Sequence, residues 1–122
     1  MIGTVNANLE AVIQLIIRGP RGGETFIDCV IDTGFSGFLT LPPTIIHSLE
    51  LPWIASEEGI LADGSVIPFD VHRATVQWET QEREVEIQRA NAAPLVGMAL
   101  LENHAVSIHV RPVGEVRIEL DT

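Results

Sequence analysis

Runs rich in Val, Ile and Leu recur along this chain between turn-forming residues, and only two short segments have helical character, so the pattern predicts a mainly β protein. Residues 11–18 read as the first substantial strand and residues 25–32 as the second. Between them, Gly19-Pro20-Arg21-Gly22-Gly23 has the composition of a hairpin loop, so the two strands are expected to pair. The apolar residues 38–41 come next, and Pro42-Pro43 then introduces residues 44–49 as a short helix. Residues 54–61 and 65–78 read as the arms of a long hairpin turning at Ala62-Asp63-Gly64-Ser65. Val85 and Ile87 alternate with Glu84, Glu86 and Gln88, the pattern of a strand with one wet face. Residues 91–94 break it. Leu95-Val96-Gly97 is a small apolar segment, residues 98–102 suit one or two helical turns, and strands at 105–110 and 115–120 close the chain. No linker, low-complexity tract or internal repeat interrupts this order, which predicts one domain over residues 1–122.

One acidic residue sits in an unusual place. In Cys29-Val30-Ile31-Asp32-Thr33-Gly34-Phe35-Ser36-Gly37, Asp32 ends an apolar strand and immediately precedes a flexible turn. Burying a carboxylate without partners is costly, so such a residue is exposed, hydrogen-bonded or in use. An isolated Asp-Thr-Gly is most simply a turn aspartate accepting backbone N–H bonds.

The surrounding residues add to that reading. Val30-Ile31-Asp32-Thr33-Gly34-Phe35-Ser36 resembles the active-site signature of the retropepsin-like aspartic proteases, and Leu95-Val96-Gly97 before a short helix resembles that family's second apolar-apolar-glycine element. The hairpin tipped by Ala62, Asp63 and Gly64 lies between them, where the family carries its substrate-covering flap. The resemblance implies an all-β acid-protease barrel with a flap hairpin and one or two short helices, acting as an aspartic endopeptidase without cofactor or metal. Asp32 is then the catalytic carboxylate, Thr33 the hydroxyl that bonds across a dimer, and Gly34 the residue that lets the backbone turn closely. Phe35 and Ser36 would border the substrate, and backbone groups of Ala62, Asp63 and Gly64 would grip it as an added strand. Phe35 departs from the small residue usual after the glycine and is expected to narrow the pocket. Ser36 is a candidate donor to the outer oxygen of Asp32.

Hydrolysis by this chemistry needs one carboxylate to take a proton from water while a second carboxyl group hydrogen-bonds the carbonyl oxygen. Two such groups held together share one proton and titrate as a unit. The chain contains one signature. Asp63-Gly64 lacks the intervening Thr or Ser and sits in a turn. A two-fold homodimer supplies the second Asp32. The rival expectation is a retropepsin-like fold kept as a dimerisation or peptide-binding module without catalysis.

Composition narrows the partners. Seventeen acidic against seven basic residues give a net charge of -10, which disfavours nucleic acid and anionic membranes. Hydrophobic residues at 46% and charged residues at 20% favour a packed globule over a disordered tail. The single cysteine, Cys29, has no internal partner, and no signal peptide or spanning segment is evident, so the expected location is the cytoplasm. The histidines His47, His72, His104 and His109 lack metal-ligand spacing, residues 19–23 lack a phosphate-binding pattern, and no nucleophile elbow holds a serine. Trp53 and Trp78 are assigned to core or sheet-face packing, and Glu79, Glu82, Glu84 and Glu86 to a solvated strand face and turn.

Overall fold

The computed structural model describes every residue from Met1 to Thr122. In chain order its elements are β1 (Ile2–Val5), β2 (Ala11–Arg18), β3 (Glu24–Ile31), β4 (Leu39–Leu41), α1 (Pro43–Ser48), β5 (Trp53–Ile60), β6 (Val66–Trp78), β7 (Gln81–Arg89), β8 (Leu95–Val96), α2 (Met98–Leu101), β9 (His104–Ile108) and β10 (Glu115–Leu120). The all-β expectation with two short helices holds.

Six of these strands form a ring. β2 pairs with β3, β3 with β8, β8 with β4, β4 with β7 and β7 with β6, and β6 returns to β2. Closure leaves the ring without an open edge, the commonest weakness of a β-sheet. It is possible because β2 divides its second edge: Val12 and Ala11 pair with Thr4 and Val5 of β1, whereas Ile16, Ile17 and Arg18 pair with Gln77, Val76 and Thr75 of β6. Two extensions leave the ring, with β5 prolonging β6 into a long hairpin and β1 continuing through β10 to β9.

Side-chain alternation fills the interior. Ala11, Ile13, Leu15 and Ile17 of β2 are buried, as are Val85 and Ile87 of β7, while Gln14, Glu84 and Glu86 face water. They join a cluster of 22 buried apolar residues that includes Leu39, Leu41, Val96, Leu100 and Ile118. Each fully buried Leu, Ile or Val contributes roughly 1.5–3 kcal/mol relative to leaving it exposed. Pro43 opens α1 at a position whose N–H has no helical partner, and Ile46, with Leu49 and Leu51 beyond the helix, anchors it to the core.

Two features differ from the sequence reading. β1 gives no clear strand signal of its own, because Ile2-Gly3-Thr4-Val5 is short and interrupted by glycine, and its long-range partner β10 stabilises it. Of the two tryptophans, Trp78 is buried, but Trp53 is 60% exposed. Trp53 opens the edge strand β5, and its indole Nε1–H donates to Asp70 Oδ1 at 3.1 Å instead of entering the core.

Candidate active site

Asp32 stands one residue beyond β3, and a short parallel pairing between β3 and β8 determines its position. Val30 and Ile31 lie opposite Leu95 and Val96. The ladder continues on both sides as Val30 N–H donates to Pro94 O at 3.0 Å and Asp32 N–H donates to Val96 O at 2.9 Å. β8 is fixed from its other side by β4, where Leu39 pairs with Val96 and Leu95 N–H donates to the Thr40 hydroxyl at 2.9 Å. Thr40 is only 6% exposed, so this bond forms away from bulk water. A lone threonine within the apolar run 38–41 is the only sequence signal for that role.

The chain turns sharply after Asp32. Phe35 N–H donates to Asp32 O at 3.1 Å, and Gly34 N–H donates to Asp32 Oδ1 at 2.9 Å. One carboxylate oxygen therefore orients against its own turn, while Oδ2 takes no hydrogen bond within the chain. Asp32 is half-buried and has no ion-pair partner, and Thr33, Gly34 and Ser36 are exposed. The Thr33 and Ser36 hydroxyls make no side-chain hydrogen bond within the single chain, so the proposed Ser36 bond to Asp32 is not formed there.

α2 holds the far side of the loop. Gly97 N–H donates to Phe38 O at 2.9 Å, Met98 N–H to Phe35 O at 2.8 Å, and Ala99 N–H to Gly37 O at 3.1 Å. The first N–H groups of a helix lack helical partners, and here the Asp32 loop supplies them. This contact requires a bare backbone at Gly97, since a Cβ there would stand 2.1 Å from Gly37 O and 2.6 Å from Cδ2 of Phe35. Gly37 is confined by side chains, because its Cβ would lie 2.6 Å from Phe35 Cζ. The ring of Phe35 thus folds over the two glycines at the joint between loop and helix.

The β5–β6 hairpin carries the second group of candidates. Gly64 N–H donates to Leu61 O at 2.9 Å, Leu61 N–H donates to Ser65 O at 2.8 Å, and Gly64 adopts a φ of 85° that glycine tolerates. This is a tight turn followed by a one-residue bulge. Asp63 Oδ1 accepts the Ser65 hydroxyl at 2.6 Å and the Ser65 N–H at 2.9 Å, and these bonds hold its carboxyl below the usual carboxylate range. Gly64 N–H is thereby committed to the turn, while the N–H groups of Ala62 and Asp63 remain unpartnered. No hydrogen bond joins this tip to the Asp32 loop within the chain.

The larger grooves of the single chain lie elsewhere. One of about 800 Å³ runs beside the hairpin, lined by Ile60, Leu61, Ile67, Phe69 and Asn91 among others, and Asp32 does not border it. No three His, Cys, Asp or Glu side chains cluster closely enough to hold a metal ion. No helix is long and apolar enough to cross a membrane. Cys29 is buried, and burial followed by the charge of neighbouring Asp28 pushes its thiol up to about 12.

The backbone matches a known architecture. The chain resembles a solved structure described as EIAV protease complexed with the inhibitor HBY-793, with a TM-score of 0.59 over 81% of this chain and 91% of that one. Sequence identity is 16%, so the likeness shows a retroviral-protease fold. The sequence matches no protein-family model and no curated protein.

Proposed function

We propose that residues 1–122 form one subunit of a retropepsin-like aspartic endopeptidase, active as a homodimer in which the two Asp32 carboxyls share a proton and activate water. The observation that carries this reading is the carboxylate of Asp32: its backbone is locked to Val96, one oxygen is oriented by Gly34 N–H, and the other is free to meet a partner. The proposed roles are catalysis by Asp32, a cross-dimer bond from the exposed Thr33 hydroxyl, and close backbone approach at Gly34. Phe35 and Ser36 would border the substrate, while the hairpin tip at Ala62, Asp63 and Gly64 would pair with an extended peptide.

A peptide or protein is the proposed substrate, and the lone buried Cys29 favours the cytoplasm. Incubation with a diverse peptide library from about pH 3 to 8 tests the reading, since aspartic dyads titrate across the acid part of that span. Cleavage by the parent protein that disappears in Asp32→Asn supports the enzyme. Equal cleavage by both, or none by either, favours a peptide-binding module on the same fold.

A further inference from the structure

We infer that Arg89 selects the substrate, pairing with an acidic side chain of an extended peptide in the groove beside the β5–β6 hairpin. The inference rests on the protease reading above and names a substrate class for it.

Arg89 differs from the other basic residues in its bonding. All seven are arginines. Arg21 and Arg111 occupy exposed turns, and the other five lie on strands. Four of those five are committed within the chain. Arg18 meets Glu24 at 2.6 Å, Arg73 meets Glu84 at 3.0 Å, Arg117 meets Glu115 at 3.0 Å, and Arg83 donates to Leu100 O at 3.0 Å. Arg89 makes no hydrogen bond within the chain. Its one carboxylate neighbour, Asp70, places Oδ2 at 4.0 Å from Nη1, beyond hydrogen-bonding reach. The other oxygen of Asp70 is engaged elsewhere, accepting the Trp53 indole N–H at 3.1 Å. In a chain with 17 acidic residues, the Arg89 fork of N–H donors is left to an incoming acceptor.

The guanidinium is carried by a fixed backbone into a concave surface. Arg89 ends β7 opposite Leu41 of β4, and Ala90 N–H donates to Leu41 O at 3.1 Å, so its backbone belongs to the closed ring. Two grooves, of about 800 and 610 Å³, are both bordered by Arg89 and Pro43. Ile60, Leu61, Ile67 and Phe69 give the larger groove an apolar wall, and Arg89 is its only basic residue. Beside such a wall, a carboxylate held bidentately by a guanidinium is bound more strongly than in open water.

The groove also reaches the candidate catalytic loop. Asp32 does not border it, but Gln88 does, and a Cβ on Gly37 would stand 2.9 Å from Gln88 Nε2. The Gln88 side chain thus has the groove on one flank and the Asp32 loop on the other. A peptide anchored at Arg89 lies one side chain away from that loop. The net charge of -10 opposes strongly anionic peptides at long range, whereas a single charge-assisted pair acts locally. The substrate class is therefore a peptide with one acidic residue at the Arg89 position, not an acidic run.

The experiment measures cleavage of paired peptides that carry Glu or the isosteric Gln at each position in turn. The parent should cut peptides with Glu at one fixed distance from the scissile bond at least about 10-fold more efficiently than their Gln counterparts, the lower range for a charge-assisted hydrogen bond. The difference should lie in KM, as for a contact made before the chemical step. In Arg89→Gln the Glu/Gln ratio should fall to about 1, and Arg89→Lys, which keeps the charge without the fork, should give an intermediate ratio. If Arg89→Gln does not fold, Arg89→Lys provides the comparison. Asp70→Asn, whose amide oxygen still accepts from Trp53, removes a competing negative charge and should raise the ratio. A parent without a Glu preference, or a preference that both Arg89 variants retain in full, overturns the assignment and leaves the protease reading intact. If the parent cleaves no peptide, the same pairs are titrated against it by fluorescence anisotropy. Tighter binding of Glu peptides that Arg89→Gln abolishes supports the assignment and removes the protease reading. Equal binding of both peptides, or binding of neither, overturns the assignment as well.

Discussion

Asp32 N–H donates to the carbonyl of Val96 at 2.9 Å, carrying the backbone pairing of the two motif segments up to the carboxylate-bearing residue itself. The carboxylate-bearing turn is consequently an extension of the β3–β8 ladder rather than a free loop. Backbone anchoring of this kind gives the carboxylate a defined direction before any substrate or partner arrives, which is the preorganisation that acid–base chemistry requires.

Replacing Asp32 with Asn should remove cleavage while preserving the fold. The asparagine Oδ1 can still accept Gly34 N–H, so the turn at 32–35 retains its internal bond. Peptide cleavage is expected to drop at least about 100-fold, the lower range for losing a general acid or base. In an equal mixture of freely exchanging parent and Asp32→Asn subunits, roughly a quarter of the dimers would keep both carboxylates. Activity falling to about that fraction distinguishes a shared dyad from two independent sites.

Gly97→Ala should act on stability first. Its Cβ would enter the space occupied by Gly37 O at 2.1 Å, forcing α2 away from the loop that it holds. A destabilisation of about 3 kcal/mol is expected, at the upper end for overpacking a buried joint. Thermal unfolding measures this directly. Phe35→Ala tests the same joint from the other side and should lower stability by roughly 2 kcal/mol, less than a fully buried phenylalanine because Phe35 is only half-buried. If stability is unchanged and peptide preference alone shifts, Phe35 acts on the substrate and not on the joint.

Local order was largely legible in the sequence because it depends on local signals. The strand at Ala11–Arg18 has the predicted bounds, the hairpin turns at Ala62-Asp63-Gly64-Ser65, and Pro42-Pro43 introduces a helix. The parallel pairs β3–β8 and β4–β7 follow from ring closure, which brings distant segments together and leaves no periodicity of its own. The same holds for β1, whose Gly3 weakens the local strand signal while β10 supplies its pairing. At the site, Asp32 and Leu95-Val96-Gly97 were visible as separate motifs. Their connection through Thr40, Val96 O and the amides of α2 depends on backbone direction, which residue type does not encode.

Cys29 should resist thiol reagents in the folded protein. Its thiol is pushed up to about 12, so at neutral pH it remains protonated and poorly nucleophilic as well as enclosed. Raising the pH to about 9 should produce little modification, whereas an exposed cysteine with a pKa of about 8.5 would react readily. Denaturant should release one reactive thiol per chain. Fast labelling of the native protein would show that β3 opens locally, loosening the strand that ends at Asp32.

The hairpin tip should weaken in acid. Ser65 donates two hydrogen bonds to Asp63, and they hold its carboxyl below the ordinary carboxylate range in the folded state. A carboxyl group with a depressed folded pKa stabilises the fold above its unfolded pKa and loses that contribution as pH falls through the folded value. The Ser65 amide resonance should therefore titrate below the ordinary carboxylate value of about 3.9, and its exchange protection should decline over the same window. Asp63→Asn keeps an acceptor oxygen without a titrating proton, so the Ser65 amide in that variant should lose the transition. Because Asp63 is fully exposed, the change should be confined to the turn, with little effect on global unfolding. A titration of Ser65 that persists in Asp63→Asn would assign the response to another group and remove Asp63 as the residue that sets the closure of this tip.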